Sequence, residues 1–365
     1  MSLFLDIHAL QTLPPSNVNR DDSGAPKNAT FGGVLRSRVS SQSWKKAIRD
    51  YFREQANSKE ASGVRTRWVI KEMVKDIQVL DSEKTEEEAF EIAKNALSKI
   101  GIKTNSKKGR EDELDVILFL SRKQIHAMAQ ISLDDTIDEK DLKKRLKEVA
   151  NNDHAYDMAL FGRMVAVDPG FNIEAASQFA HAIGIDALTP EFDFWAATDD
   201  IGSEEHSGSG NLGVFEFNSS TYYRFASVDL NTLYENLGTL ESVQEALDIF
   251  LKGYFNAVPK GKENSFAAPT LPGALVITLR ENTPVSYANA FEKPITRTRN
   301  ETVLENGFTT MLEYADSLEK NYGTVGMKTW IVTILDNENK VDLLTAINEI
   351  KEEVSQAYST NTDNE

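Results

Sequence analysis

Strand-like and helical patterns divide this chain into three parts, and this division constrains the fold more than any other feature. Residues 2–10 alternate between the two sides of a strand, with Leu3, Leu5 and Ile7 on one of them. Helical periodicity then dominates for about a hundred residues, and strand-prone segments resume near 192–197, 214–225, 274–279 and 330–335. A helical block inserted between parts of one sheet explains this order. The pattern therefore predicts an α+β fold with a ferredoxin-like or RNA-recognition-type sheet.

Helix limits follow from apolar spacing and from end signals. Thr85 and Glu88 have the spacing of a capping box, which predicts a helix from there to about residue 99. Further helices are predicted at 114–128, 138–149, 230–258 (with a possible break at Gly238), 301–322 and 341–358.

Length and composition exclude several classes of protein. The 365 residues suffice for one large domain or two smaller ones. The chain has no Cys, which excludes disulfides, thiolate metal sites and cysteine nucleophiles. Its first residues lack the basic flank of a signal peptide, and no apolar run approaches a membrane span. We therefore expect a cytoplasmic protein with no membrane partner.

The charges are segregated along the chain. The formal net charge is −17, which argues against wholesale non-specific binding to nucleic acid. Residues 185–250 carry thirteen Asp or Glu and one basic residue, Arg224, as expected of a solvated acidic face. Residues 16–53, in contrast, hold eight Lys or Arg against three Asp, a local surplus of +5. Net charge alone therefore does not exclude a nucleic-acid site.

The basic stretch combines several features of an anion-binding site. Arg20 and Lys27 lie in a predicted loop that leads to a Gly32-Gly33 pair. Arg36 and Arg38 follow two residues apart, so both point to the same face of an extended segment. The backbone amides at a helix start would add positive potential beside them.

The helix predicted at 43–53 completes this stretch. Ser40 and Ser41 are suitable caps, and Trp44 begins an apolar side. The adjoining arc is basic and comprises Lys45, Lys46, Arg49 and Arg53. A solvated helix face is the simpler explanation of such an arc. Its place beside the capped start and two arginines favours a cradle for a nucleic-acid backbone.

A Gly- and Ser-rich segment at 198–213 reads as the tip of a long hairpin. It has four Gly and three Ser in sixteen residues and lies between two strand-prone segments. Asp199, Asp200, Glu204, Glu205 and His206 crowd into it without ordered spacing, so a solvated tip is favoured over a metal site.

The basic stretch resembles the backbone subunit of the type I-E CRISPR Cascade complex, the CasC family. The residues that carry the resemblance are Ser16-x-x-Asn19-Arg20-Asp21-Asp22, Lys27, Phe31-Gly32-Gly33 and Arg36-x-Arg38-x-Ser40-Ser41-Gln42-Ser43-x-Lys45. Shorter blocks follow in the same order: Gly162-Arg163-Met164, Ala180-His181-Ala182-Ile183, Tyr223-Arg224-Phe225-Ala226, Asn289-Ala290-Phe291-Glu292-Lys293 and Asn321-Tyr322-Gly323. Where family members often carry Leu, this chain has Trp44, a core-facing change.

The resemblance implies a hand-shaped protein with an RNA-recognition-like palm at 1–60 and 161–365, a helical finger at 61–160 and a β-hairpin thumb with its loop at 198–213. Copies would stack head to tail along a CRISPR RNA, together with other Cascade subunits, and present its spacer to target DNA. No cofactor, metal or catalysis is implied. The RNA-binding residues would be Arg20, Lys27, Arg36, Arg38, Ser40, Gln42, Lys45, Lys46 and Arg49, with Gly162, Arg163 and Met164 near the bases. The apolar thumb residues Ile201 and Leu212 would approach the RNA.

Two enzymatic alternatives compete with this interpretation. Asp21 and Asp22 lie in the predicted RNA-binding loop, which suggests a metal-dependent ribonuclease, but no further carboxylates with recognisable spacing accompany them. They are better explained as residues that order the loop. Phe31-Gly32-Gly33 suggests a nucleotide site only weakly, because both phosphate-binding glycine motifs are absent.

Overall fold

The structure, a computed structural model, describes residues 2–55, 61–105, 107, 109–110, 112–165, 168–197, 212–324 and 326–362. The strands are β1 Leu3–Ser16, β2 Asn28–Phe31, β3 Val34–Val39, β4 Val64–Thr66, β5 Leu118–Leu120, β6 Ser177–Phe179, β7 Ala182–Gly184, β8 Glu191–Ala196, β9 Leu212–Asp229, β10 Ala274–Glu281 and β11 Lys328–Thr333. The α-helices are α1 Ser41–Gln55, α2 Val69–Leu80, α3 Glu86–Lys99, α4 Arg122–Ser132, α5 Glu139–Ala150, α6 Tyr156–Phe161, α7 Leu230–Leu237, α8 Leu240–Asn256, α9 Glu263–Phe266, α10 Val303–Tyr322 and α11 Leu343–Thr362. No helix in the described ranges is long and apolar enough to cross a membrane.

One large sheet contains most of the strands. Its order is β11-β10-β1-β9-β7-β3-β2, with β6 and β8 also paired to β9. The pairs β1–β10, β10–β11, β2–β3, β3–β7, β7–β9 and β8–β9 are antiparallel. The prediction of an α+β fold is therefore confirmed to the extent that the chain combines helices with an antiparallel sheet.

The chain divides into two compact units. The first unit comprises residues 1–48, 178–227 and 252–365, and the second comprises 49–177 and 228–251. The second unit contains the whole of the predicted helical insertion and adds residues on both sides of it, including most of α8.

Local end signals explain where most helices begin and stop. Thr85 and Glu88 form the predicted capping box before α3, and Asp138 caps α5. Gly238 has φ +76°, a left-handed conformation suited to glycine, and it separates α7 from α8 as predicted. Thr302 and Glu305 form another capping box before α10.

The prediction of one helix at 114–128 is wrong. Residues 118–120 form β5, which pairs with β4, and α4 begins only after Ser121. Ser121 and Gln124 form a capping box there. The apolar run Leu118–Leu120 is buried throughout, and a short buried strand cannot be distinguished from a helix by periodicity alone.

Each unit has its own apolar core. In the first unit, β1 and β10 are almost entirely buried, and Asp6 on β1 accepts from Arg280 on β10 at 3.0 Å, with both side chains nearly inaccessible. In the second unit, α2, α3, α4 and α5 pack around a cluster that includes Ile70, Met73 and Leu97. The buried guanidinium of Arg280 keeps its partner, so the first core holds a charge pair without an orphan cation.

Candidate nucleic-acid interface

The predicted basic loop is fastened to β3 by backbone and side-chain hydrogen bonds. The Lys27 amide donates to the Asn19 carbonyl at 2.9 Å, and the Arg38 amide donates to the Lys27 carbonyl at 2.9 Å. The Asn19 side chain accepts from the Ser40 amide at 2.8 Å. These bonds hold Lys27 and Arg38 next to the start of α1.

Asp21 orders the tip of this loop. Its Oδ1 accepts from the Ser23 amide at 2.9 Å, the Ser23 hydroxyl at 2.7 Å and the Ala25 amide at 3.1 Å. The Ser23 hydroxyl contributes most to lowering the pKa of the Asp21 carboxyl. Asp21 thus serves as a turn residue, in agreement with its interpretation as a loop-ordering group. Among the residues that the structure describes, no three His, Asp or Glu are grouped so as to hold a metal ion.

An open cleft of about 540 Å³ lies at this loop. It is lined by residues 18–24 and by Gly261. A Cβ at Gly261 would lie 2.3 Å from the Val18 carbonyl oxygen, so the two segments touch closely there. Arg20 is exposed at the wall of the cleft.

Helix α1 begins as predicted, with its apolar side inward. The Ser40 hydroxyl accepts from the Ser43 amide at 3.4 Å, and Trp44 is buried with the Arg224 guanidinium 3.7 Å from its ring centroid. Lys45 is half-buried, with its ammonium 5.4 Å from the Phe179 ring centroid, and burial lowers its pKa. The exposed residues of this first turn and a half are Gln42 and Lys46. Ser40 is nearly inaccessible and serves the helix, which leaves it poorly placed to contact RNA.

Arg36 is a structural residue, and the prediction that it contacts RNA is wrong. Its side chain is among the largest that are fully buried. Nη1 donates to the carbonyls of Gly184 and Ile185 at 3.0 and 3.1 Å, and Nη2 donates to those of Phe291 and Glu292 at 3.1 and 3.0 Å. Gly32 confirms how closely the 291–292 segment lies over this turn, because a Cβ there would be 1.8 Å from the Glu292 oxygen.

The Arg49 side chain also binds partners within the protein. Its Nε donates to Asp157 Oδ2 at 3.1 Å, and its guanidinium lies 4.5 Å from the Phe119 ring centroid. The Asp157 carboxylate is inaccessible, and only 14% of the Arg49 side chain is exposed. Arg49 therefore pairs with a buried carboxylate and contributes little exposed charge to the basic arc, and its contact with RNA stays a prediction.

The residues of the Gly162-Arg163-Met164 block differ in their exposure to solvent. Arg163 is buried in the second unit and donates to the carbonyls of Phe171, Phe119 and Ala150 at 2.6, 3.2 and 2.7 Å. Burial lowers its pKa to about 10, so it remains charged at neutral pH. The Arg163 side chain is therefore not accessible to RNA, and the position of this block near the bases stays a prediction. Met164, in contrast, is 87% exposed.

The predicted hairpin arms are β8 and β9, in a register that pairs Ala196 with Leu212. Residues that share one face are largely exposed and apolar: Phe192 68%, Phe194 65%, Leu212 61% and Val214 61%. On the other face Phe215 stacks with Trp195 at 5.7 Å and lies 3.7 Å from the Lys262 ammonium. Ile201 and the rest of the tip, 198–211, lie outside the described residues.

Sequence reasoning missed one polar neighbour of the basic residues. His181 is exposed just before β7, and its Nδ1 lies 3.0 Å from Nη1 of Arg38. Ile183 pairs with Arg38 across β3 and β7, so His181, two residues earlier, shares that face of the sheet. The alternation of His181 and Ile183 was visible in the sequence, but the pairing of β7 with β3 was not.

Comparisons with known proteins match most of the chain. A family model described as CT1975-like protein matches residues 5–356. No curated protein sequence matches. A solved structure described as "CRISPR RNA-guided surveillance complex, pre-nicking" contains a chain that is 31% identical, with a TM-score of 0.81 over 96% of this chain and 99% of that one. Another, "CRISPR RNA-guided surveillance complex", contains a chain that is 28% identical, with a TM-score of 0.61 over the same shares. These matches confirm the resemblance found in the sequence.

Proposed function

The chain belongs to the CT1975-like protein family, and from that premise we propose that it is a non-catalytic RNA-binding backbone subunit of a type I-E CRISPR surveillance complex. Copies of it assemble head to tail along the guide RNA and present the spacer for pairing with target DNA. The sheet of the first unit is the palm, the second unit is the finger, and the β8–β9 hairpin is the thumb.

The observation that carries this proposal is a set of accessible cations built on one scaffold of the first unit. When the buried arginines are left out of the predicted RNA-binding residues, the remaining cations are Arg20, Lys27, Arg38, Lys45 and Lys46. Gln42 accompanies them. The hydrogen bonds that Asn19 accepts from Lys27 and Ser40, and that Lys27 accepts from Arg38, hold the loop, β3 and the start of α1 together. Such a surface suits a chain of phosphates in an otherwise acidic protein.

The chemistry of the set suits a guide of any sequence. Lys and Arg bind phosphates, and Gln and backbone amides bind phosphate or ribose oxygens, so none of these contacts requires a particular base. A subunit that holds variable spacers must leave the base edges free for pairing. Sequence-independent grip on one strand is therefore the activity that this surface supports best.

Replacing Lys27, Lys45 and Lys46 together by Ala is expected to weaken binding of single-stranded RNA equally for unrelated sequences. It should also lower the slope of log affinity against log salt concentration by about 2, since each lost contact with a single strand removes about 0.7. Fluorescence anisotropy with two labelled RNAs over a range of NaCl concentrations measures both quantities.

The control variant also removes three positive charges, but from lysines that form ion pairs on other helices. Lys75, Lys94 and Lys320 each bind an acidic neighbour on their own helix, and their replacement by Ala should leave affinity and slope close to those of the wild type. An unchanged slope in the first triple variant, or equal losses in both, would refute the proposed grip.

The rival ribonuclease function makes a different prediction. Because Asp21 is occupied by three donors of its own loop, we expect guide-length RNA to stay intact with the purified protein and Mg²⁺ or Mn²⁺. A denaturing gel measures this. Metal-dependent cleavage that disappears in Asp21→Ala or Asp22→Ala would replace the binding function with catalysis at this loop.

A further inference from the structure

His181 presents a hydrogen-bond donor beside the basic residues, and its tautomer follows from its neighbour. The Arg38 guanidinium has only donors, so the 3.0 Å contact from Nη1 requires a lone pair on His181 Nδ1. A neutral imidazole with that lone pair carries its proton on Nε2. No acceptor for Nε2–H is found in the described part of the chain.

The Arg38 guanidinium is also held by a hydrogen bond on the side away from His181. Its Nε donates to the Asn28 carbonyl at 3.0 Å, and its backbone amide donates to Lys27. Nη2 has no acceptor within the described residues. The side chain is therefore held in place by one bond on either side, with the remaining N–H groups available to a ligand.

The pair lies within the candidate interface. Lys27 is near enough to act on the charge of His181, and Lys45 lies over Phe179, two residues before it. Burial, then Arg38, then Lys27 lower the pKa of His181 below its usual 6.5. No carboxylate among the described residues opposes these cations at His181. The imidazole is therefore neutral at pH 7 and above.

We propose that His181 and Arg38 bind one phosphate group of the RNA together, with His181 Nε2–H as a neutral donor and Arg38 as the cation. This inference rests on the proposed function and adds a residue that was not among the predicted RNA-binding residues. A phosphate oxygen accepts from both groups, and Lys27 supplies a second charge nearby. Protonation of His181 at Nδ1 would displace Arg38, so the pair works with the imidazole neutral.

The roles assigned to the two residues differ in salt dependence. Replacing His181 by Ala should weaken RNA binding about three- to tenfold, the effect of one hydrogen bond, and leave the salt slope unchanged. Replacing Arg38 by Ala should weaken binding and lower the slope by about 0.7. His181→Gln retains an amide N–H near the Nε2 position and should recover most of the affinity lost in His181→Ala.

The same RNA titrations separate this inference from the proposed function. If the Lys27, Lys45 and Lys46 variant weakens binding and His181→Ala does not, only the pairing is refuted. If none of these variants affects binding, the proposed function fails as well. A His181→Ala effect that disappears between pH 7 and 8.5 would indicate an imidazolium contact and overturn the neutral-donor assignment.

An RNA-free measurement tests the tautomer independently. The chain has five His, so the signals of His181 in a ¹⁵N-histidine spectrum are identified by their loss in His181→Gln. At pH 7.5 we expect the Nε2–H tautomer, and inorganic phosphate should shift these signals in the wild type and less in Arg38→Ala. An Nδ1–H tautomer, or no response to phosphate, would overturn the pairing.

Discussion

Replacing Arg36 by Ala is expected to lower the free energy of unfolding by about 3–5 kcal/mol. The guanidinium holds four backbone carbonyls from two distant segments, Gly184–Ile185 and Phe291–Glu292. Alanine would remove the guanidinium donors from all four carbonyls, of which Ile185 keeps a second donor in the Ile295 amide at 2.7 Å, and would leave a cavity where the fully buried side chain now lies. Urea unfolding followed by circular dichroism measures the loss, and hydrogen exchange at β3 and β7 locates it.

Arg38→Ala is the matched control for this prediction. Arg38 lies two residues further along β3, on the same face but partly exposed. Its removal should cost about 1 kcal/mol or less, because water can replace its partners. Its effect should instead fall on RNA binding. Equal destabilisation by the two substitutions would show that the four carbonyls do not depend on Arg36.

These two arginines show what sequence periodicity can and cannot predict. The two-residue spacing correctly placed both side chains on one face of a strand. Only Arg36 is covered, and the segment that covers it lies 255 residues further along the chain. Local alternation carries no information about such a distant contact. Arg49 is a similar case, since its carboxylate partner is 108 residues away.

Local signals, in contrast, predicted the parts of the fold that depend on local physics. The capping box at Thr85, the helix start near Asp138 and the break at Gly238 all appear as predicted, because neighbouring residues satisfy those helix ends. The strand β5 was missed because its stability comes from pairing with β4, more than fifty residues earlier in sequence. The sequence therefore indicated the basic segment as a candidate site, while the accessibility of each cation required the tertiary structure.

The second large effect is expected at the exposed face of the hairpin. Phe192 and Phe194 lie on that face at 68% and 65% exposure, and Val214 lies opposite Phe194. Large apolar side chains grouped on a protein surface commonly mark a contact with another molecule. The opposite face already packs against Lys262 and Phe266, so under the proposed head-to-tail assembly the exposed face would contact the second copy of the chain.

Replacing Phe192 and Phe194 together by Ser should leave the free energy of unfolding nearly unchanged, because both rings are already in water. Assembly of several copies on a guide-length RNA should weaken at least tenfold at each contact, as expected when two aromatic anchors are lost. Mass photometry across a protein titration counts the copies per RNA. Ile334→Ser is the control, because Ile334 is 79% exposed but lies outside the hairpin.

The outcome also distinguishes two roles for the hairpin. In the proposed assembly, a contact from the thumb of one copy to the palm of the next would join different surfaces, so it would extend along the RNA and not close as a dimer. Loss of this contact should therefore reduce the number of copies per RNA and expose the RNA to nuclease, while binding of a single copy persists. If the serine variant instead loses single-copy binding, the apolar face contacts RNA directly. If it assembles and protects RNA as the wild type does, the hairpin is not the contact between copies, and the head-to-tail arrangement must use another surface.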